Sequence, residues 1–149
     1  LHSCGKFVTM RNATEYAYNI IMATEIIGLS HVEREIVANV VRYHLKTFQY
    51  KDIKIEARPS RISRLATPDN LTLTVAKLTA ILRLANSMDR SHNNKLAGCR
   101  MVIKNNKLVI NTDYVGDVML EALSIEEKAD FFEEIFGLRP VLKQKKGSK

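Results

Sequence analysis

Apolar residues recur at intervals of three and four along most of the first ninety or so residues, then give way to short alternating runs. The first periodic stretch places Tyr16, Ala17, Ile20, Ile21, Thr24 and Ile27 on one stripe. It predicts a helix capped by Asn12, supported by Glu15, running to about Ile27 and stopped by Gly28. "SHVE" then reads as a capping box, with Ser30 accepting from the third helical amide and Glu33 reaching back. The helix it opens runs to about His44 and buries Ile36, Val37, Val40, Val41 and His44. The segment 46–66 has no clear period; "KIEARPSRISRLATP" reads as a basic loop with a short turn. Thr67-Pro68 opens a long helix, a capping hydroxyl followed by proline at the first helical position. Leu71, Val75, Leu78, Leu82, Ala85 and Met88 form its predicted stripe.

After Asn94 the pattern changes. "RMVIKNNKLVIN" predicts two strands around Asn105-Asn106, since asparagine tolerates the positive φ of a two-residue hairpin turn. "SIEE" reads as a second capping box, Ser124 with Glu127, opening a helix that carries Ala129, Phe132, Ile135 and Phe136 and ends at Gly137. "RPVLK" returns as a strand, and the pattern leaves 118–122 open between strand and helix. The expected architecture is mainly α, a helical lobe over 1–95, with a small α+β lobe over 96–142 and a basic, disordered tail over 143–149.

Composition sharpens this in two respects. Lys and Arg number 23 against 16 acids, a formal charge of +7, which favours polyanionic partners: nucleic acid, polyphosphate, nucleotides or acidic lipid; a well-solvated basic surface is the plainer alternative. Aromatic residues fall on helix faces rather than between cations, so nucleic-acid stacking is not expected. No apolar run approaches the roughly 20 residues of a membrane span, and a signal peptide is not expected, since basic residues do not precede a short apolar core at the opening. Two cysteines, Cys4 and Cys99, make no disulfide framework, so the expected setting is reducing and cytoplasmic.

The opening "LHSCGKF" raises the chemical question. A His-Asp dyad joined by distant His and Asp ligands holds a divalent metal and generates hydroxide for phosphate-ester hydrolysis. His2 is present here, but Ser3 supplies no carboxylate. Ser3 is no nucleophile either, because no motif arranges a base for it and adjacent helical residues point apart. No Gly-rich phosphate loop, P-loop or nucleophile elbow occurs.

"LHSCGKF", "RNATEYAYNIIMATEIIGLSHVEREIVANVVRYH", "KLTAILRLANSMDRSH" and "FFEEIFGLRPVL" together resemble the C-terminal, HD-type region of the exopolyphosphatase/guanosine pentaphosphate phosphatase (Ppx/GppA) family, over nearly the whole chain. The resemblance implies an HD-like helical lobe. It also implies that hydrolysis, and the Mg²⁺ it uses, belong to an upstream pair of actin-like phosphatase domains. The C-terminal region then helps form a basic polyphosphate channel and a homodimer. The family carries a further helix ahead of His2, and the expected helical lobe is read without that N-terminal helix.

Departures from that family pattern predict that the metal site is lost. Ser3 takes the place of an Asp; Ala13, Thr14 and Tyr16 fall where the family is His-rich; Asn86 takes the place of a second Asp. The remnant pocket expected from the resemblance is His2, Ser3, His44, Asn86 and Asp89, with no catalytic residue, no metal and no cofactor in this chain. His2 and His44 also fit a reading as core residues, and His31, on the first turn of its helix, reads as exposed. Asp89 and His92 lie three apart and share a face if the helix continues. With Arg90 they form the best polar cluster, read either as a phosphate contact or as an ion pair ending the helix. Arg58, Arg61 and Arg64 repeat every third residue and would form a basic strip suited to bidentate phosphate contacts, or a solvated loop. Lys6 and Arg11 complete the candidate polyanion set. The function expected is a non-catalytic accessory domain; a metal-dependent phosphohydrolase with atypical ligands and a plain interaction domain are the alternatives.

Overall fold

Four helices and a three-stranded sheet make a mixed α+β chain, seen here in a computed structural model that describes residues 1–53, 55 and 68–145. The helices are α1 (Ala13–Ala23), α2 (His31–Tyr43), α3 (Pro68–Met88) and α4 (Met119–Phe136). The strands are β1 (Arg100–Lys104), β2 (Lys107–Thr112) and β3 (Arg139–Gln144). The chain divides into two compact units, Leu1–Thr79 and Ala80–Lys149, with the boundary inside α3. No described helix is long and apolar enough to cross a membrane.

In the first unit a 3-10 turn, Cys4–Phe7, leads into α1. Gly5 is buried there because a Cβ would sit 1.8 Å from the Ala13 carbonyl oxygen and 2.6 Å from the Ala17 nitrogen. Only a residue without a side chain lets the turn lie this close to α1. Ala17 and Ile21 of α1 meet Ala38 and Val41 of α2 in one core cluster, with Cys4, Tyr18, Met22, Ile26 and Val37 packed around it.

Asn12 differs from its expected role. It stands in the left-handed region at φ 64, and its side chain makes no cap bond. A short polar side chain tolerates that conformation, so Asn12 turns the chain into the helix through its backbone. The helix also stops at Ala23 rather than Ile27, because Thr24 is extended and its hydroxyl donates back to the Ile20 carbonyl at 2.7 Å. Thr24 and Ile27 of the expected stripe therefore lie beyond the helix and are exposed, Tyr16 is exposed within it, and Gly28, at φ 90, belongs to the loop that follows. The Ser30–Glu33 capping box forms as expected, both bonds present. Val40, Val41 and His44 are buried, Ile36 and Val37 half-buried.

Helix α3 begins at Pro68 as predicted, but its buried set is broader and shifted. Ala76, Thr79, Ala80, Leu84 and Ser87 are buried with Leu71 and Val75, whereas Leu78 and Ala85 are exposed. A long helix whose small residues face inward buries a wide arc rather than a narrow leucine stripe. The basic strip Arg58, Arg61 and Arg64 lies outside the described residues, as do Thr67 and the tail residues 146–149.

In the second unit the hairpin forms in the expected place, Lys104 paired with Lys107 across Asn105 (φ 51) and Asn106 (φ 56). Strand β3 joins β2 in parallel, giving the order β1-β2-β3. Leu96, Ile110, Val118, Ile125 and Phe132 form the core with Ala80 and Leu84. The expected cap at Ser124 is not the start of a helix: α4 begins five residues earlier, at Met119, where the Asp117 carboxylate accepts from the Met119 N–H at 2.8 Å. Ser124 is thus inside the helix, the open segment 118–122 is largely helical, and Glu127 bonds Lys128 at 2.8 Å. Gly137 ends α4 as expected, at φ 66, its N–H donating to the Glu133 carbonyl at 2.7 Å.

Candidate functional site

In the first unit the expected pocket residues His2 and His44 do meet. Their rings lie 5.6 Å apart, edge to face. His44 is buried just past α2, with Nδ1 2.6 Å from the Val41 carbonyl oxygen, and His2 is exposed beside it. Ser3 is half-buried; its carbonyl accepts from the Lys6 N–H at 3.1 Å and its side chain caps nothing. Lys6 and Arg11 are exposed, the latter with its N–H on the Thr9 hydroxyl at 3.2 Å. His31 is exposed and touches the Arg34 guanidinium at 3.0 Å.

The first unit also holds an ion cluster that periodicity alone did not single out. Glu15 of α1 bonds Arg42 at 2.9 Å and also bonds Lys46. Burial works to raise the Glu15 pKa, but the bonds from Lys46 and Arg42 prevail and hold it below the usual value. Arg42 in turn is raised, chiefly by Glu15, and its guanidinium lies 5.0 Å from the Tyr18 ring centre. One carboxylate thereby offsets one of the two cations at the end of α2.

In the second unit the segment after α3 carries Asp89, Arg90 and His92, with Asn86 half-buried on the last turn of the helix. The helix does not continue through them. The Asp89 carbonyl accepts from the His92 N–H at 3.1 Å, and its carboxylate accepts from the Asn94 N–H at 2.9 Å. His92 (φ 55) and Asn94 (φ 52) take left-handed conformations, which closes a tight loop. The Asp89 carboxylate and the His92 ring come within 3.9 Å, both solvent-accessible, and Arg90 and His92 face outward.

What holds this loop is a residue invisible to local pattern. Glu121, fully buried on α4, accepts from the Ser91 N–H at 3.1 Å and from the Ser91 hydroxyl. Its other oxygen pairs with Lys95 at 3.3 Å, and Lys95 also donates to the Asp117 carbonyl at 2.9 Å. Burial works to raise the Glu121 pKa; the donors from Ser91, its own backbone and Lys95 overcome that and keep it ionised below the usual carboxylate value. These bonds tie the loop that carries the exposed Arg90 and His92 to α4. Among the described residues no group of three or more His, Cys, Asp or Glu is arranged to hold a metal ion.

The family model for Ppx/GppA phosphatase, domain III, matches residues 1–129. Among curated proteins, none matches the sequence.

Proposed function

The chain belongs to the Ppx/GppA phosphatase family, and from that premise we propose that it is a non-catalytic, HD-like accessory domain that binds polyphosphate or nucleotide polyphosphate beside a phosphatase centre. The observation that carries the reading is the family match to domain III over residues 1–129. By the family resemblance, hydrolysis and its Mg²⁺ belong to upstream actin-like domains, which are the partner of this chain, in a cytoplasmic homodimer. A charge of +7 and the outward-facing Lys6, Arg11, Arg90 and His92 support an electrostatic role toward phosphate chains. Arg58, Arg61 and Arg64 extend the same role, each guanidinium suited to paired phosphate oxygens. Ser3 and Asn86, at positions where a metal site needs carboxylates, support the absence of hydrolytic metal chemistry in this chain.

The test incubates the purified chain with medium-length polyphosphate and Mn²⁺ or Mg²⁺, following bound polymer, released phosphate and metal content together. Polyphosphate bound at physiological salt, with no phosphate released and no stoichiometric metal, is the expected result. Phosphate release tracking a stoichiometric metal would replace the reading with that of a hydrolase, and failure to bind would leave a plain interaction domain.

A further inference from the structure

Strand β1 is an open edge. Among the described residues β2 pairs with one side of it and no strand with the other. All five of its residues are exposed, including Met101, Val102 and Ile103, which show 50, 52 and 66% of their surface to solvent. Such an edge invites further strand pairing unless charge, proline or a bulge blunts it.

The geometry of the hairpin tells which groups are on offer. A two-residue loop closes on a hydrogen-bonded pair, here Lys104 with Lys107, and bonded pairs then recur at every second residue. Val102 with Val109 and Arg100 with Asn111 are therefore the bonded pairs. The backbone N–H and C=O groups of Met101 and Ile103 point away from β2, toward the open side.

The charge around the edge selects the occupant. Arg100 and Lys104 flank the three apolar residues on the same face as Val102, and Lys107 and Lys143 lie on that face in the same rows. All four cations are exposed, and none forms an ion pair with a described carboxylate. Five carboxylates of this unit are engaged elsewhere: Glu126, Asp130 and Glu133 with Arg139, Asp113 with Lys145, Glu121 with Lys95. A second copy paired antiparallel about Val102 fits poorly, because that register sets Arg100 opposite Lys104 twice, and like charges directly opposed destabilise a sheet.

We propose that β1 is a docking edge for an extended acidic segment of a partner protein, which adds an antiparallel strand with carboxylates opposite Arg100 and Lys104 and apolar or β-branched residues opposite Met101, Val102 and Ile103. Backbone bonds to Met101 and Ile103 supply affinity and the two end charges supply selectivity. This reading is independent of polyphosphate binding.

The experiment measures fluorescence anisotropy of a labelled peptide with the core Glu-Val-Thr-Val-Glu against the whole chain, beside the same peptide with Lys in place of Glu. The acidic peptide binds more tightly by about tenfold, the effect of two cross-strand charge pairs. Met101→Pro abolishes binding while leaving the β1–β2 ladder intact, since the lost N–H faces outward. The exposed pair Arg100→Glu with Lys104→Glu, which disturbs no packing, reverses the preference toward the Lys peptide. Equal binding of both peptides, binding indifferent to these variants, or a chain dimer that Met101→Pro dissociates would each overturn the proposal.

Discussion

The Glu121 carboxylate accepts both the N–H and the hydroxyl of Ser91, thirty residues earlier in the chain, from a fully buried position on α4. This bond, with Lys95 on the other carboxylate oxygen, fixes the loop that displays Arg90 and His92.

Glu121→Ala is expected to cost about 3 kcal/mol in denaturant unfolding, because it leaves the donors of Ser91 without their acceptor and the Lys95 ammonium with only the Asp117 carbonyl. The cost also depends on pH. The Glu121 pKa is lowered in the fold, so its stabilisation is complete above the unfolded carboxylate value of 4.5 and fades as pH falls from there through the folded value. The gap between wild type and Glu121→Gln should accordingly narrow in acid; a gap that widens there contradicts the assignment.

Gly5→Ala places a methyl group within 1.8 Å of the Ala13 carbonyl oxygen, a backbone atom that no side-chain rotation relieves. A loss of about 1–3 kcal/mol is expected from such overpacking. Because Gly5 shows no positive φ, the loss reports close approach rather than backbone strain. Urea unfolding of Gly5→Ala with a midpoint equal to wild type would show that the turn at Cys4–Phe7 does not press on α1.

At the hairpin, Asn105 and Asn106 both hold positive φ. Asn106→Val is expected to lower stability by about 1–2 kcal/mol, while Asn106→Gly holds or improves it. Thermal unfolding of the two variants separates this from a simple loss of side-chain contacts, which would make glycine the worse replacement.

The parts of the fold written in adjacent residues were legible. The Ser30–Glu33 box, proline at the start of α3, the Asn-Asn turn and Gly137 all act within one turn of where they sit. Asn12 and Ser124 misled because a capping residue type is also an ordinary loop or helix residue, and only the tertiary setting decides which. Asn12 turns the chain by its own left-handed backbone, and at α4 the Asp117 carboxylate, one residue before the cap position, accepts from the first helical N–H, that of Met119. Placing the helix start at Ser124 also hid Glu121. Within a helix from Met119 it stands one turn before buried Ile125, but no local pattern announces that its partner is Ser91. His2 and His44, legible as a pair only through family resemblance, are in ring contact.

The central claim is that this chain holds phosphate polymers by charge. Its most direct test is a calorimetric titration of medium-length polyphosphate into the chain at physiological salt, comparing wild type with the combined variant Lys6→Gln, Arg11→Gln, Arg90→Gln, His92→Gln. The account predicts binding that weakens as salt rises, and a variant that binds more weakly with a shallower salt dependence, as expected when cation–phosphate contacts are removed. Wild-type binding that is absent, or that neither salt nor these substitutions change, would contradict it.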